Sequence, residues 1–227
     1  MSRYRGWIIV LGLSLVPAAL WASSTADVRF GAPAPALRSL ANLAAVTGTT
    51  MFAVTMILAA RSRRMERALG GFDAMYRIHR GLGYGVPVLL AVHATLVVSA
   101  KATTSPSGAL LLLSPAAGWN VFLGVLALVG LVAVVLVQVL RRLRHETFLK
   151  VHRLVGAAFV LGTLHMALLP STRALPPLLI VYLAGLVVAG TAAFAYRSLL
   201  GRYLVRRHRY RIDQVSPLGP AAVELVL

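Results

Sequence analysis

The chain alternates between long apolar stretches and short arginine-rich ones. Six apolar stretches are long enough, or nearly so, to supply the about 20 helical residues that cross a hydrocarbon core of about 30 Å. They are Gly6–Trp21, Leu40–Ala60, Gly81–Ala100, Trp119–Leu140, Val151–Leu169 and Pro177–Ala195. The pattern predicts an all-α integral membrane protein built as a six-helix transmembrane bundle. The first stretch is the shortest, and with Arg3 and Arg5 before it the segment also resembles a signal peptide. The poor small-residue cleavage pattern near Ala22 favours a retained helix. After the sixth stretch the pattern changes. Tyr210–Val215 and Ala222–Leu227 are short runs suited to strands, separated by Pro and Gly, so the C-terminal tail is β-prone.

Composition agrees with this reading. Of the 227 residues, 59% are hydrophobic and only 13% charged, against roughly half apolar in soluble domains. Cysteine is absent, which excludes disulfides, thiolate metal sites and covalent haem attachment through a C-x-x-C-H motif. The formal net charge of +17 raises the question of nucleic acid, but the placement of the charges has another cause. Nineteen of the 23 Lys and Arg residues fall on one side of the predicted spans: before the first, between Arg61 and Arg80, between Arg141 and Arg153, and from Arg197 to Arg211. Only Arg29, Arg38, Lys101 and Arg173 fall on the other. This imbalance puts both termini in the cytoplasm and makes anionic lipid headgroups, not nucleic acid, the expected partner of most of these charges. The spans contain no Asp or Glu, which counts against a proton-coupled transporter, since such proteins use intramembrane carboxylates as relays.

Histidine supplies the candidate chemistry. The third span carries His79 at its cytoplasmic mouth and His93 deeper in. The fifth carries His152 and His165. Both spans run outward, so His79 matches His152 in depth and His93 matches His165, with the two levels about 20 Å apart at 1.5 Å per residue. Any one of these residues taken alone is as well explained as polar glue between helices. Two depth-matched pairs point instead to neutral imidazoles offered to a metal, and a haem iron accepts two axial ligands from opposite sides.

The two segments, "IHRGLGYGVPVLLAVH" and "VHRLVGAAFVLGTLH", are locally alike, with Gly83 and Gly156 each four residues after the first histidine. Those glycines would let a flat cofactor approach the backbone, or serve ordinary helix contacts. Arg80 and Arg153 follow the inner histidines, and either a haem propionate or simple membrane-interface charge accounts for them. The spacing is uneven. Fourteen residues return to within roughly 40° of the same helix face, whereas thirteen miss it by roughly 140°. The fifth span is therefore expected to tilt, coil or distort, or its ligands to address differently turned groups. Pro87 is a possible kink in the third. Phe159, between the two levels, reads better as a packing aromatic than as an aid to electron passage. His145 and His208 read as solvated residues.

From about Leu37 to Tyr203 the chain resembles the ferric reductase-like transmembrane domain shared by ferric reductases and NADPH oxidases. The resemblance rests on His-x13-His in the third span, His-x12-His in the fifth, and the approach "RSRRMERALGGFDAMYRIHR", which is similar to bacterial members and implies a bacterial inner membrane. It implies that His79, His93, His152 and His165 ligate two b-type haems, paired His79 with His152 and His93 with His165, as the depth argument also gives. Residues 1–203 would form the haem domain. Residues 204–227 are similar to the start of a flavin-binding barrel and leave it incomplete. No Arg-x-Tyr-Ser/Thr flavin motif and no glycine-rich nicotinamide loop is present, so FAD and NAD(P)H are expected only through a missing domain or a flavoprotein reductase partner on the cytoplasmic side.

The implied function is transmembrane electron transfer to an external acceptor, by an oxidoreductase component that lacks complete flavin and NAD(P)H domains of its own. In NADPH oxidases a further histidine follows the outer ligand by one turn; Val97 stands there in this chain, which weakens an oxidase assignment. Two alternatives are the haem-binding membrane subunit of a periplasmic methionine sulfoxide reductase system and a haem-free transporter or scaffold.

Overall fold

The computed structural model describes residues 4–23, 30–140, 143–200, 214–219 and 222–226. Six helices are long and apolar enough to span a membrane. They are α1 (Arg5–Ala22), α2 (Pro33–Ala59), α4 (Phe72–Ala102), α6 (Trp119–Leu140), α7 (His145–Leu168) and α9 (Pro177–Phe194). Short helices join them: α3 (Arg63–Leu69), α5 (Pro106–Leu111) and α8 (Pro170–Arg173), with a single 3₁₀ turn at Pro115–Ala117. The last turn after α9 widens to π geometry over Ala195–Leu200.

Local chemistry sets several of these boundaries. Ser62 caps α3 by accepting from the Met65 N–H at 3.3 Å, and Gly70 ends it in the left-handed region at φ 93°, as a helix stop of this kind requires. Ser105 caps α5 in the same way through the Gly108 N–H at 3.1 Å, with Pro106 in the first turn. Arg61 turns the chain between α2 and α3 at a positive φ of 54°, and its guanidinium lies 5.3 Å over the Phe72 ring.

Both histidine-bearing spans begin earlier than hydropathy predicts, as does α2, at Pro33 instead of Leu40. The third starts at Phe72 instead of Gly81, and the fifth at His145 instead of Val151. Hydropathy misses these turns because they are basic, yet they are helical. The consequence is that His79 and His152 each sit seven residues inside a helix, held by its backbone and not at a frayed end. α4 runs through Pro87 without interruption.

α2 is the hub of the bundle. It packs chiefly on α4 and α9 and also meets α1 and α7. A helix surrounded on most sides needs small residues so that its neighbours can approach, and Ala41, Ala44, Gly48, Thr50, Ala53 and Thr55 are all buried. The two threonine hydroxyls donate back to the carbonyls of Val46 and Met51 at 2.8 and 2.7 Å, so neither is left unpaired in the bundle. Phe52, Met56, Val86, Leu131, Val134, Val155 and Phe159 form the central core where α2, α4, α6 and α7 meet. Phe159 packs edge-on to Phe52, with ring centroids 5.0 Å apart, which is the packing role expected of it. Large apolar side chains such as Val88, Val129, Val181 and Val188 point outward, as a lipid-facing surface demands.

α1 docks on the bundle. The backbone of Gly81 lies under the Trp7 ring, Gly6 lies against Leu69 and Ile78, and the Tyr182 hydroxyl on α9 donates to the Leu13 carbonyl at 2.7 Å. The tail holds an antiparallel pair, β1 (Gln214–Gly219) and β2 (Ala222–Val226), in the register Gln214 to Val226 and Ser216 to Glu224. The second strand falls where the sequence predicts. The described part of the first overlaps the predicted Tyr210–Val215 at Gln214 and Val215 and continues through Pro217 to Gly219; a two-stranded ribbon has a free edge where a missing N–H costs no ladder bond. Residues 210–213 and His208 lie outside the described residues.

A close helix approach in the core gives a test. A Cβ on Gly190 of α9 would sit 3.1 Å from Phe159 and 3.2 Å from the Ala53 carbonyl. Gly190→Val should therefore destabilise the bundle by about 1–3 kcal/mol through overpacking. A lower melting temperature in detergent is expected, and an unchanged one contradicts this packing.

Candidate metal-binding site

The four membrane histidines share one feature: each uses Nδ1 to reach a neighbouring helix. On α4, His79 Nδ1 lies 3.1 Å from the Thr55 carbonyl oxygen and His93 Nδ1 lies 2.9 Å from that of Ala41, both on α2. On α7, His165 Nδ1 lies 2.6 Å from the Asn120 carbonyl near the start of α6, and His152 Nδ1 lies 3.2 Å from the Gln138 side-chain oxygen Oε1 near its end. A backbone carbonyl can only accept. Nδ1 of His79, His93 and His165 therefore carries the proton, and Nε2 keeps its lone pair. A metal-ligating histidine is held in this way, with one nitrogen donating to the second shell and the other facing the metal.

The two helix pairs achieve this differently. Ala41 and Thr55 are fourteen residues apart on α2, the same separation as His79 and His93 on α4. A single antiparallel register thus supplies both carbonyls. On α7 the histidines are thirteen residues apart, but their partners on α6, Asn120 and Gln138, are eighteen apart. α7 has no internal proline and no break. The awkward spacing is absorbed by the partners: a backbone carbonyl at one end of α6, a flexible amide at the other. Gly124 completes the arrangement, because a Cβ there would lie 2.8 Å from the His165 ring. Only glycine lets this imidazole lie against α6.

His79 and His152 face each other with ring centroids 6.1 Å apart and planes at 69°. Two metal–imidazole bonds of about 2 Å, with each centroid about 1 Å behind its nitrogen, require about 6 Å. The inner pair therefore fits a metal held between two imidazoles. Phe148 stacks on His152 at 5.3 Å and 11°, fixing the ring plane. His93 and His165 line one cavity of about 300 Å³. Its other walls include Phe52, Leu131, Ala158, Phe159 and Gly162, a partly open and mostly apolar space suited to a flat apolar ligand. Among the described residues no group of three or more His, Cys, Asp or Glu comes together. Paired imidazoles without further side-chain ligands suit a metal whose other positions a macrocycle fills.

The structure also places the other residues that the sequence singles out. Arg80 and Arg153 are both exposed, and Arg80 lies 5.8 Å over the Tyr84 ring on the outer surface of α4. The structure brings neither into contact with the histidines. The Cβ position of Gly156 is filled by the Phe194 ring, so this glycine serves a contact between α7 and α9 and does not open the backbone to a cofactor; the corresponding position at Gly83 is open. The carbonyl partners Ala41, Thr55 and Asn120 leave no trace in the sequence, because every residue has a carbonyl. Gln138 does leave one, as an amide near the end of the most apolar span.

Comparison with known proteins gives one match. The family model described as "Ferric reductase like transmembrane component" matches residues 44–163, a little over half of the chain, and this stretch includes three of the four histidines. No curated protein matches significantly.

Gly124→Leu should push His165 off the Asn120 carbonyl. A haem held by His93 and His165 would then bind about 10–100-fold more weakly, the usual cost of losing a second-shell partner, and one held by His79 and His152 would be retained. Haem titration of the apoprotein measures this. Two unchanged binding steps contradict the assigned role of Gly124.

Proposed function

The chain belongs to the ferric reductase like transmembrane component family, and from that premise we propose that it conducts electrons across the membrane through two b-type haems. The family makes it an oxidoreductase-type membrane component; the haem count, the ligands and the partners are our reading. One observation supports that reading: all four imidazoles engage Nδ1 with a neighbouring helix, which would leave Nε2 for a metal, and the inner pair stands 6.1 Å apart.

His79 and His152 would hold the inner haem, and His93 and His165 the outer. Bound haem supplies one-electron chemistry between the ferric and ferrous states. The residues of the chain do the rest. The Thr55, Ala41 and Asn120 carbonyls orient three of the rings and raise the basicity of their free nitrogens. Two imidazoles per iron leave no open position, which directs the site to electron transfer and away from ligand chemistry. Phe52, Phe159 and Leu131 line the space at the outer level with apolar surface. Val97 also faces that cavity and offers no polar group to a reduced oxygen species.

The arginine-rich ends of α3, α4 and α7 would face the cytoplasm. There a flavoprotein domain or reductase partner, carrying FAD and using NAD(P)H, would deliver the electrons. The acceptor would lie on the opposite side.

Purified protein should show the reduced-minus-oxidised spectrum of low-spin b haem, with two haems per chain by pyridine haemochrome. His93→Ala should remove about half of that haem and spare the other half. A stable, colourless preparation, or a variant that keeps both haems, contradicts the proposal.

A further inference from the structure

Gln138 stands apart from the other three imidazole partners. Ala41, Thr55 and Asn120 act through backbone carbonyls, which any residue at those positions would present. Gln138 acts through its side chain, whose one hydrogen bond among the described residues is to His152. Its other half, Nε2, is buried and finds no partner among the described residues. A buried donor left unpaired opposes folding. What the amide contributes is the bond to His152, which joins α6 to α7.

That bond also decides a chemical question at His152. For the other three histidines a carbonyl forces the proton onto Nδ1. An amide has two faces. With Oε1 toward the ring, as here, His152 carries its proton on Nδ1 and keeps Nε2 as a ligand. With the NH₂ toward the ring, the proton would have to sit on Nε2, and the ligand would be lost. Phe148 stacked on the ring at 5.3 Å keeps the imidazole from turning to find another acceptor.

We propose that Gln138 is a positioning residue that fixes the ligand nitrogen of His152 and sets the redox equilibrium of the inner haem apart from that of the outer one. This rests on the two-haem reading given above. An Nδ1–H that donates to an acceptor makes its imidazole a more basic ligand, and a more basic ligand favours the ferric state. The inner level is therefore open to tuning by one side chain, whereas the outer level is set by main-chain carbonyls.

The test uses the full chain in two states. In the haem-free protein with ¹⁵N-labelled histidine, His152 should be the Nδ1–H tautomer. In Gln138→Met, which keeps the length and apolar volume of the side chain but lacks an acceptor, the Nδ1–H to Nε2–H ratio should fall about tenfold. Gln138→Glu, which restores an oxygen on the same stem, should recover it. In the haem-loaded protein, Gln138→Met should shift one of the two midpoint potentials upward by about 59 mV, the one-electron equivalent of a tenfold change, and leave the second in place.

An Nε2–H tautomer in the unmutated protein overturns the proposal without any variant. So does a Gln138→Met protein with an unchanged tautomer ratio, or with both midpoints unmoved. The tautomer measurement needs no haem, so its failure is distinct from a failure of the haem reading, which the haem content of the unmutated protein reports.

Discussion

A neutral imidazole between membrane helices has one nitrogen that donates and one that accepts, and the surrounding lipid satisfies neither. In this fold the donor is committed first. Nδ1 of His79, His93 and His165 is held by a carbonyl of an adjacent helix, and that of His152 by the Gln138 amide. The arrangement does two things. It removes the penalty of an unpaired donor in the hydrocarbon, and it leaves the Nε2 lone pair available to a ligand. Helix packing and site chemistry are therefore one problem here: the contacts that hold α2 to α4 and α6 to α7 are the contacts that aim the rings.

The central position of α2 follows from the same constraint. A carbonyl already bonded within its helix has a second lone pair to offer, but a side chain reaches it only where the neighbouring helix comes close. Small residues along α2, among them Ala41, Gly48 and Ala53, allow that approach over the whole width of the bundle. Because α4 lies antiparallel to α2 in a constant register, both of its histidines find a carbonyl. α6 and α7 have no such common register, and they reach the same result through a glycine at one end and a glutamine at the other.

Much of this was legible in the sequence. Hydropathy and the basic loops give six spans, and the two histidine pairs give the two levels. What hydropathy cannot see is a helix that continues into charged residues, as α4 and α7 do before His79 and His152. Nor can residue spacing show how a thirteen-residue offset is accommodated, because the answer lies in the partner helix. Gly156 is instructive in the opposite sense. Its place four residues after a ligand suggested a role beside a cofactor, yet the Phe194 ring occupies it. The glycine that does touch a candidate ligand is Gly124, on a different helix, where no motif marks it. A carbonyl partner has no sequence signature, whereas an amide in an apolar span, such as Gln138, does.

The central claim is that each iron is bound by the Nε2 nitrogens of two histidines drawn from α4 and α7. Hyperfine spectroscopy of the oxidised protein with ¹⁵N-labelled histidine reads this directly. The account predicts two low-spin ferric centres, each with two directly coordinated imidazole nitrogens and their remote nitrogens protonated. A high-spin centre, or an iron with a single imidazole, would contradict it.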